Sequence, residues 1–147
     1  MKCPRCSTAL DSQQLQLGTA WTCRDCQGVL LARSVLDAQA GRGSTTSLWS
    51  RAEAAAESLE LDCPECRGGF RQWREPAGGD WIELDACLCC GLLWFDRGEI
   101  HKLNDSLSER RASSRASATS GGPLDPGWVG EGVLDVLASV LEALWES

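Results

Sequence analysis

Residues 63–103 read CPECRGGFRQWREPAGGDWIELDACLCCGLLWFDRGEIHKL, and this stretch decides the fold. Two cysteine pairs, Cys63/Cys66 and Cys87/Cys90, each keep the C-x-x-C spacing, with twenty residues between Cys66 and Cys87. Each pair puts two thiolates at the tip of one tight turn. Two such tips facing each other complete a tetrahedral S₄ shell, a donor set that suits zinc. A short hairpin fits between them: Phe70 to Trp73, a turn signal at Pro76-Ala77-Gly78-Gly79-Asp80, then the alternating run Trp81 to Asp85. After the last ligand come Leu92-Leu93-Trp94-Phe95 and then Asp96-Arg97-Gly98-Glu99. Asp96 is placed to N-cap a helix, and Glu99, at the third helical position, to reach back in a capping box. Ile100, Leu103 and Leu107 give that helix an apolar face. The segment is predicted to be a zinc ribbon closed by a capped helix.

The pattern C-P-x-C followed by C-x-x-C-G-x-x-W-[LF]-D-R-G-E-[LI]-x-x-L resembles a small bacterial zinc-ribbon family, named after the ribbon of transcription factor IIB. The positions that carry the likeness are Cys63, Pro64, Cys66, Cys87, Cys90, Gly91, Trp94, Phe95, Asp96, Arg97, Gly98, Glu99, Ile100 and Leu103. Paired C-x-x-C motifs recur in many folds, whereas the W-F-D-R-G-E-I tail is specific. The resemblance implies structural zinc and a short antiparallel sheet. It implies little about biology, because the family name records a structural likeness.

The cysteines also set the organisation of the whole chain. A length of 147 residues with 43% hydrophobic composition would permit one ordinary domain. However, Cys3-Pro4-Arg5-Cys6 and Cys23-Arg24-Asp25-Cys26 form a second set, with sixteen residues between the pairs. Cys3 and Cys6 lie sixty residues before Cys63 and Cys66, and Cys26 lies sixty-four before Cys90. The four extra residues belong to a longer second hairpin. This is an internal repeat, so two ribbons are expected, with two Zn²⁺ per chain held by Cys3, Cys6, Cys23, Cys26 and by Cys63, Cys66, Cys87, Cys90. Units of about 40 residues bury too little apolar surface to fold unaided, and metal is the usual remedy.

The first copy departs from the family pattern. Ala32 stands where Asp96 stands later, and Val35 where Glu99 stands. A substitute cap is available two residues on, with Ser34 as N-cap and Asp37 at the third helical position. That helix is expected to be short, ending near Gly41.

Residues 41–47 (GRGSTTS) read as a flexible linker. Leu48 to Leu61, rich in Ala and Glu, reads as a connecting helix. Residues 108–126 are polar and Ser-rich and read as a disordered tether. Beyond them, Val133, Val136, Leu137, Val140, Leu141 and Leu144 fall on one face of a C-terminal amphipathic helix flanked by Trp128 and Trp145. It is too short and too acidic for a membrane span, and its polar face lacks the Lys and Arg of a membrane-surface helix. A docking role follows, onto the chain's own ribbons, onto a protein partner or in self-association. The expected fold class is small, metal-stabilised α+β. It comprises ribbon 1 (1–43), linker and connecting helix (44–62), ribbon 2 (63–107), tether (108–127) and C-terminal helix (128–147). No signal peptide precedes Cys3, so a cytoplasmic location is expected, where thiols stay reduced and metal binding outranks disulfides.

Charge weighs against nucleic acid. The formal net charge is −7, and eight thiolates (−8) with two divalent ions (+4) take it to −11. Residues 1–43 carry five basic and three acidic side chains, a surplus that one tetrathiolate zinc site cancels. Phosphate binding rests on clustered Lys and Arg. Arg110, Arg111 and Arg115 form the only local cluster, within the tether.

Other candidates for chemistry are few. His101, the only histidine, follows a shell already filled by four cysteines and reads as an exposed helix residue. Cys89, the ninth cysteine, lies between two ligands and reads as a bystander rather than a spare ligand or redox thiol. No βαβ pattern surrounds the C-x-x-C pairs, as a thioredoxin-like motif would require. Capping accounts for Asp96 and Glu99 without catalysis. The seven tryptophans are more readily assigned to packing than to base stacking. Iron in a rubredoxin-like S₄ site is the alternative metal. The favoured reading is a non-enzymatic zinc-ribbon adaptor that binds protein. The alternatives are a transcription-associated nucleic-acid binder and a thiol or iron redox protein.

Overall fold

The computed structural model describes residues 1–15, 18–40, 42–103, 105–106 and 109. The C-terminal helix and, apart from Glu109, the expected tether with Arg110, Arg111 and Arg115 lie outside the described residues. In chain order the elements are β1 (Asp11–Leu15), β2 (Gly18–Thr22), β3 (Val29–Ala32), α1 (Arg33–Ala40), α2 (Arg42–Ala54), β4 (Ala56–Asp62), β5 (Gly69–Ala77), β6 (Asp80–Cys87) and β7 (Leu92–Phe95). Residues 99–103 then start a further helix.

The ribbons are not two separate sheets. Among the described residues, the seven strands form one antiparallel sheet in the order β1-β2-β3-β7-β6-β5-β4. The seam is the β3–β7 pair, in the register Val29↔Phe95, Leu30↔Trp94, Leu31↔Leu93, Ala32↔Leu92. Leu30 and Trp94 are sixty-four residues apart, the same offset that relates Cys26 to Cys90. Equivalent positions of the repeat therefore face each other, and a pseudo-two-fold axis passes between them. The repeat shows again where Lys2 bridges Ala9 and Asp62 pairs with Gly69, each sixty residues apart.

Burial explains why the seam forms. VLLA and LLWF are apolar at every position, and all but Ala32 are buried. A strand apolar on both sides needs cover on both faces and neighbours on both edges. One face carries Val29, Leu31, Leu84, Ala86, Leu93 and Phe95, packed under helix residues Val35, Leu36, Leu48, Trp49, Ala52, Ile100 and Leu103. The other carries Leu30, Phe70, Leu92 and Trp94 together with Cys3, Cys23, Cys63 and Cys87. The molecule is thus layered, with helices on one side of the sheet and both cysteine clusters on the other.

The second hairpin forms where it is expected, but its strands run further. Pro76 and Ala77 belong to β5, and only Gly78 and Gly79 form the turn, with φ of 59° and 82°. Two positive φ values define the type I′ turn whose twist matches the flanking strands.

Three local expectations need correction. Residues 42–47, read as a flexible linker, are the first turns of α2. Thr45 is buried there and donates to Asp37, while Leu48, Trp49 and Ala52 pack on the core, so tertiary contacts override a poor local helix signal. The connecting helix predicted over Leu48–Leu61 stops at Ala54, and residues 56–62 form β4 instead. Their Ala- and Glu-rich composition yields to pairing with β5, at Ala56↔Gln72, Glu57↔Arg71 and Asp62↔Gly69. Ser34 is not the cap of α1, because the helix already begins at Arg33. The Arg33 N–H instead reaches the carbonyl of Gly91, at 2.7 Å, in the other ribbon.

Candidate metal centres

Four turns build the two clusters, and all four have the same backbone. In each, the residue after the second cysteine donates its N–H to the carbonyl of the first: Ser7 to Cys3 at 2.9 Å, Gln27 to Cys23 at 3.0 Å, Arg67 to Cys63 at 2.9 Å and Gly91 to Cys87 at 2.9 Å. Those four residues share a left-handed φ of 63°, 61°, 62° and 66°. Three of them are not glycine, and each costs about 1–2 kcal/mol in this conformation. Such strain persists only where the surroundings over-determine it. A shared metal ion is a constraint of that kind.

The structure brings Cys3, Cys6, Cys23 and Cys26 into one group and Cys63, Cys66, Cys87 and Cys90 into another, with the sulfurs of each group within 4.8 Å of one another. The sulfur–sulfur distances are 3.5 Å for Cys3–Cys26, 3.3 Å for Cys6–Cys23 and 3.6 Å for Cys66–Cys87. A tetrahedral shell with Zn–S bonds of about 2.3 Å has edges of about 3.8 Å, so the sulfurs stand close to a ligand shell. All nine cysteines are free thiols. The two groups have the same burial sequence: buried, exposed, buried, half-buried. The donors therefore fit a tetrahedral divalent ion at both places.

Electrostatics differ between the inner and outer sulfurs. Burial pushes Cys63 up to about 11, and raises Cys3, Cys26 and Cys90 as well. The exposed sulfurs go the other way. The Thr8 backbone N–H lowers Cys6 to about 6, and the Gly68 backbone N–H lowers Cys66 to about 7. A divalent cation held by the four sulfurs would outweigh the burial effect and make every ligand a thiolate.

A set of charged groups links the two halves of the sheet. Arg5, inside the first C-x-x-C turn, donates from Nε to Asp96 Oδ1 at 3.1 Å and from Nη2 to Asp96 Oδ2 at 2.8 Å. The same Nη2 reaches Asp85 Oδ2 at 3.5 Å. Asp85 is 1% exposed; burial pushes its carboxyl up to about 7, with the Arg5 charge opposing. Trp94 Nε1 also donates to Asp96 Oδ1, at 2.9 Å. Asp96 thus spends its carboxylate on Arg5 and Trp94, which corrects its predicted role as side-chain cap. Glu99 does reach back, accepting the Asp96 N–H at 2.8 Å, and its second oxygen takes the Glu83 N–H at 2.9 Å. The predicted box is therefore half kept, and Glu99 also ties its helix to β6.

Of the remaining candidates, Cys89 is exposed and outside both groups, and His101, expected to be exposed, is half-buried on the helix that starts at Glu99. Sequence reasoning missed Arg5 and Asp85. A signal for them existed in the repeat: Arg5 corresponds to Glu65, and Asp96 to Ala32. The charges that meet across the seam are the ones that are not duplicated. No described helix is long and apolar enough to cross a membrane.

Two Cys₄ groups on one antiparallel sheet define the class: a small α+β fold with two candidate metal sites. Residues 2–39 match the family described as Transcription factor zinc-finger. The Cys₄ group at 63–90 fits a second zinc ribbon. The match thus falls on the copy without the W-F-D-R-G-E tail. No curated protein and no solved structure matches the chain.

Proposed function

We propose that this chain is a non-enzymatic protein whose two ions are structural zinc and whose role is that of a protein-interaction adaptor in the cytoplasm. The observation that carries the reading is the construction of the clusters. Each uses four thiols from two identical turns, the closed set of a structural site, where a catalytic zinc keeps one position open. The ions hold together a sheet whose faces are already covered by helices and clusters. Binding then falls to surfaces beyond the core, and the apolar positions of residues 128–147 supply one. Truncation after residue 127, and separately Leu137→Asp, tests this. Both are expected to abolish partner capture from the native cell or self-association, with two zinc ions retained. Unchanged interactions and unchanged mass in solution would show that the segment is only a tail.

The family description favours a second reading, a transcription-associated nucleic-acid binder. The net charge of −7 opposes it, because counterion release needs several phosphate contacts. Titration of labelled single- and double-stranded DNA at low and physiological salt decides between them. Submicromolar binding that survives physiological salt would overturn the adaptor reading.

A further inference from the structure

The two metal sites sit in different ribbons, yet each is wired to the other's ribbon. Arg5 lies between the ligands Cys3 and Cys6 of the first site, and its guanidinium holds Asp96, at the end of β7, in a two-bond fork. Asp96 follows Trp94, whose indole N–H it accepts, and precedes the helix whose Glu99 takes the Asp96 N–H. In return, the Gly91 carbonyl, directly after the ligand Cys90 of the second site, accepts the first N–H of α1. The repeat does not duplicate the Arg5–Asp96 fork, since the corresponding pair is Glu65 and Ala32.

We infer that Arg5 is a positioning residue that couples the two metal sites, so that loading the first favours loading the second. The Arg5 backbone is fixed by the turn that Cys3 and Cys6 close around the ion. Without that closure, the guanidinium keeps its charge but loses its fixed position. Asp96 and the nearly unexposed Asp85 then lose a cation whose fork geometry suits a carboxylate. Coupling free energies of this kind correspond to roughly 5–150-fold changes in affinity, and linkage requires the same factor in both directions. The chain then fills its sites together, and half-loaded protein is scarce. The inference rests on the reading of both clusters as metal sites.

Cobalt(II) titration of the full chain against a competing chelator tests it, because tetrathiolate cobalt absorbs in the visible and reports each equivalent. Cys6→Ser leaves the second site to be measured by itself, and Cys66→Ser leaves the first. The expected result is that each single-site chain binds its remaining ion about tenfold more weakly than the wild type binds the same site. With Arg5→Gln added to either single-site chain, its parent at that site is Arg5→Gln alone, and the tenfold penalty should shrink to about twofold. Arg5→Lys should restore part of it. Asp96→Asn, which lies outside both sulfur groups and keeps an acceptor for Trp94, should weaken binding at the first site although it belongs to the second ribbon. That cross-ribbon effect remains measurable if Arg5→Gln fails to fold. A penalty that persists at full size without Arg5 would assign the coupling to the β3–β7 seam and overturn the inference. Two independent sites in the wild type would also overturn it. A chain that takes up no metal would instead sink the metal reading itself.

Discussion

Leu30 and Trp94 face each other across β3 and β7, both fully buried, at the point about which the two ribbons are related. The relation is symmetric in backbone and asymmetric in volume. Trp94 leans over Gly28, where an added Cβ would lie 2.0 Å from the indole Cζ2. The seam therefore works by pairing a large side chain with a missing one.

Gly28→Ala is accordingly expected to destabilise the metal-loaded protein by about 1–3 kcal/mol through overpacking. Trp94→Leu makes the pair nearly symmetric and opens the space over residue 28. In that background the same Gly28→Ala should cost well under half as much, a non-additivity that a double-mutant cycle of denaturation midpoints measures. Additive costs would mean that the indole does not occupy that space in solution.

Elemental analysis of protein expressed without added metal should give two zinc ions per chain. Iron would announce itself by a visible charge-transfer band. Cys89→Ser should leave the count at two, since Cys89 is exposed and outside both sulfur groups. A loss of one ion in that variant would make Cys89 a ligand. Chelation is expected to unfold both ribbons, because the metal's binding energy is largely folding energy.

Arg51 on α2 bonds the carboxylate of Glu75 on β5, whose side chain is 1% exposed while that of Arg51 is 42% exposed. Arg51→Ala takes a cation from a buried acid and should cost about 1–3 kcal/mol, less than a fully buried pair because the arginine is solvated. Thermal denaturation reads the effect. A change within experimental error would show that Glu75 is held equally well by its other contacts.

Burial raises the Glu99 carboxyl above its ordinary value, against the two N–H bonds that lower it. The sign follows from linkage: the folded state holds its proton more tightly than the unfolded state does. The stability from this group is thus complete below the unfolded value and falls as pH rises through the folded one. Melting temperature of the metal-loaded protein should contain a component that declines from the ordinary carboxylate range upward. Glu99→Gln should remove that component and, by giving up one of two N–H bonds, cost about 1 kcal/mol. A pH profile identical in both proteins would contradict the assignment.

The sequence by itself determined what is local and covalent in character. Paired C-x-x-C spacings placed eight sulfurs in two groups of four, because a tight turn with two thiols at its tip is set by a few residues. The repeat offset, the Gly78-Gly79 hairpin and the backward reach of Glu99 were legible for the same reason. Only the tertiary structure decided that the ribbons share a sheet. VLLA and LLWF announce strands that must be buried, but nothing in their pattern says that each will be the other's edge. It also decided the fate of residues 42–62, where a poor helix former became helix and a good one became strand, because packing and edge pairing outweigh propensities of a few tenths of a kcal/mol per residue. The Arg5–Asp96 fork belongs to the same class. Its members are ninety-one residues apart, and a charge cannot name its partner until the seam brings the two together.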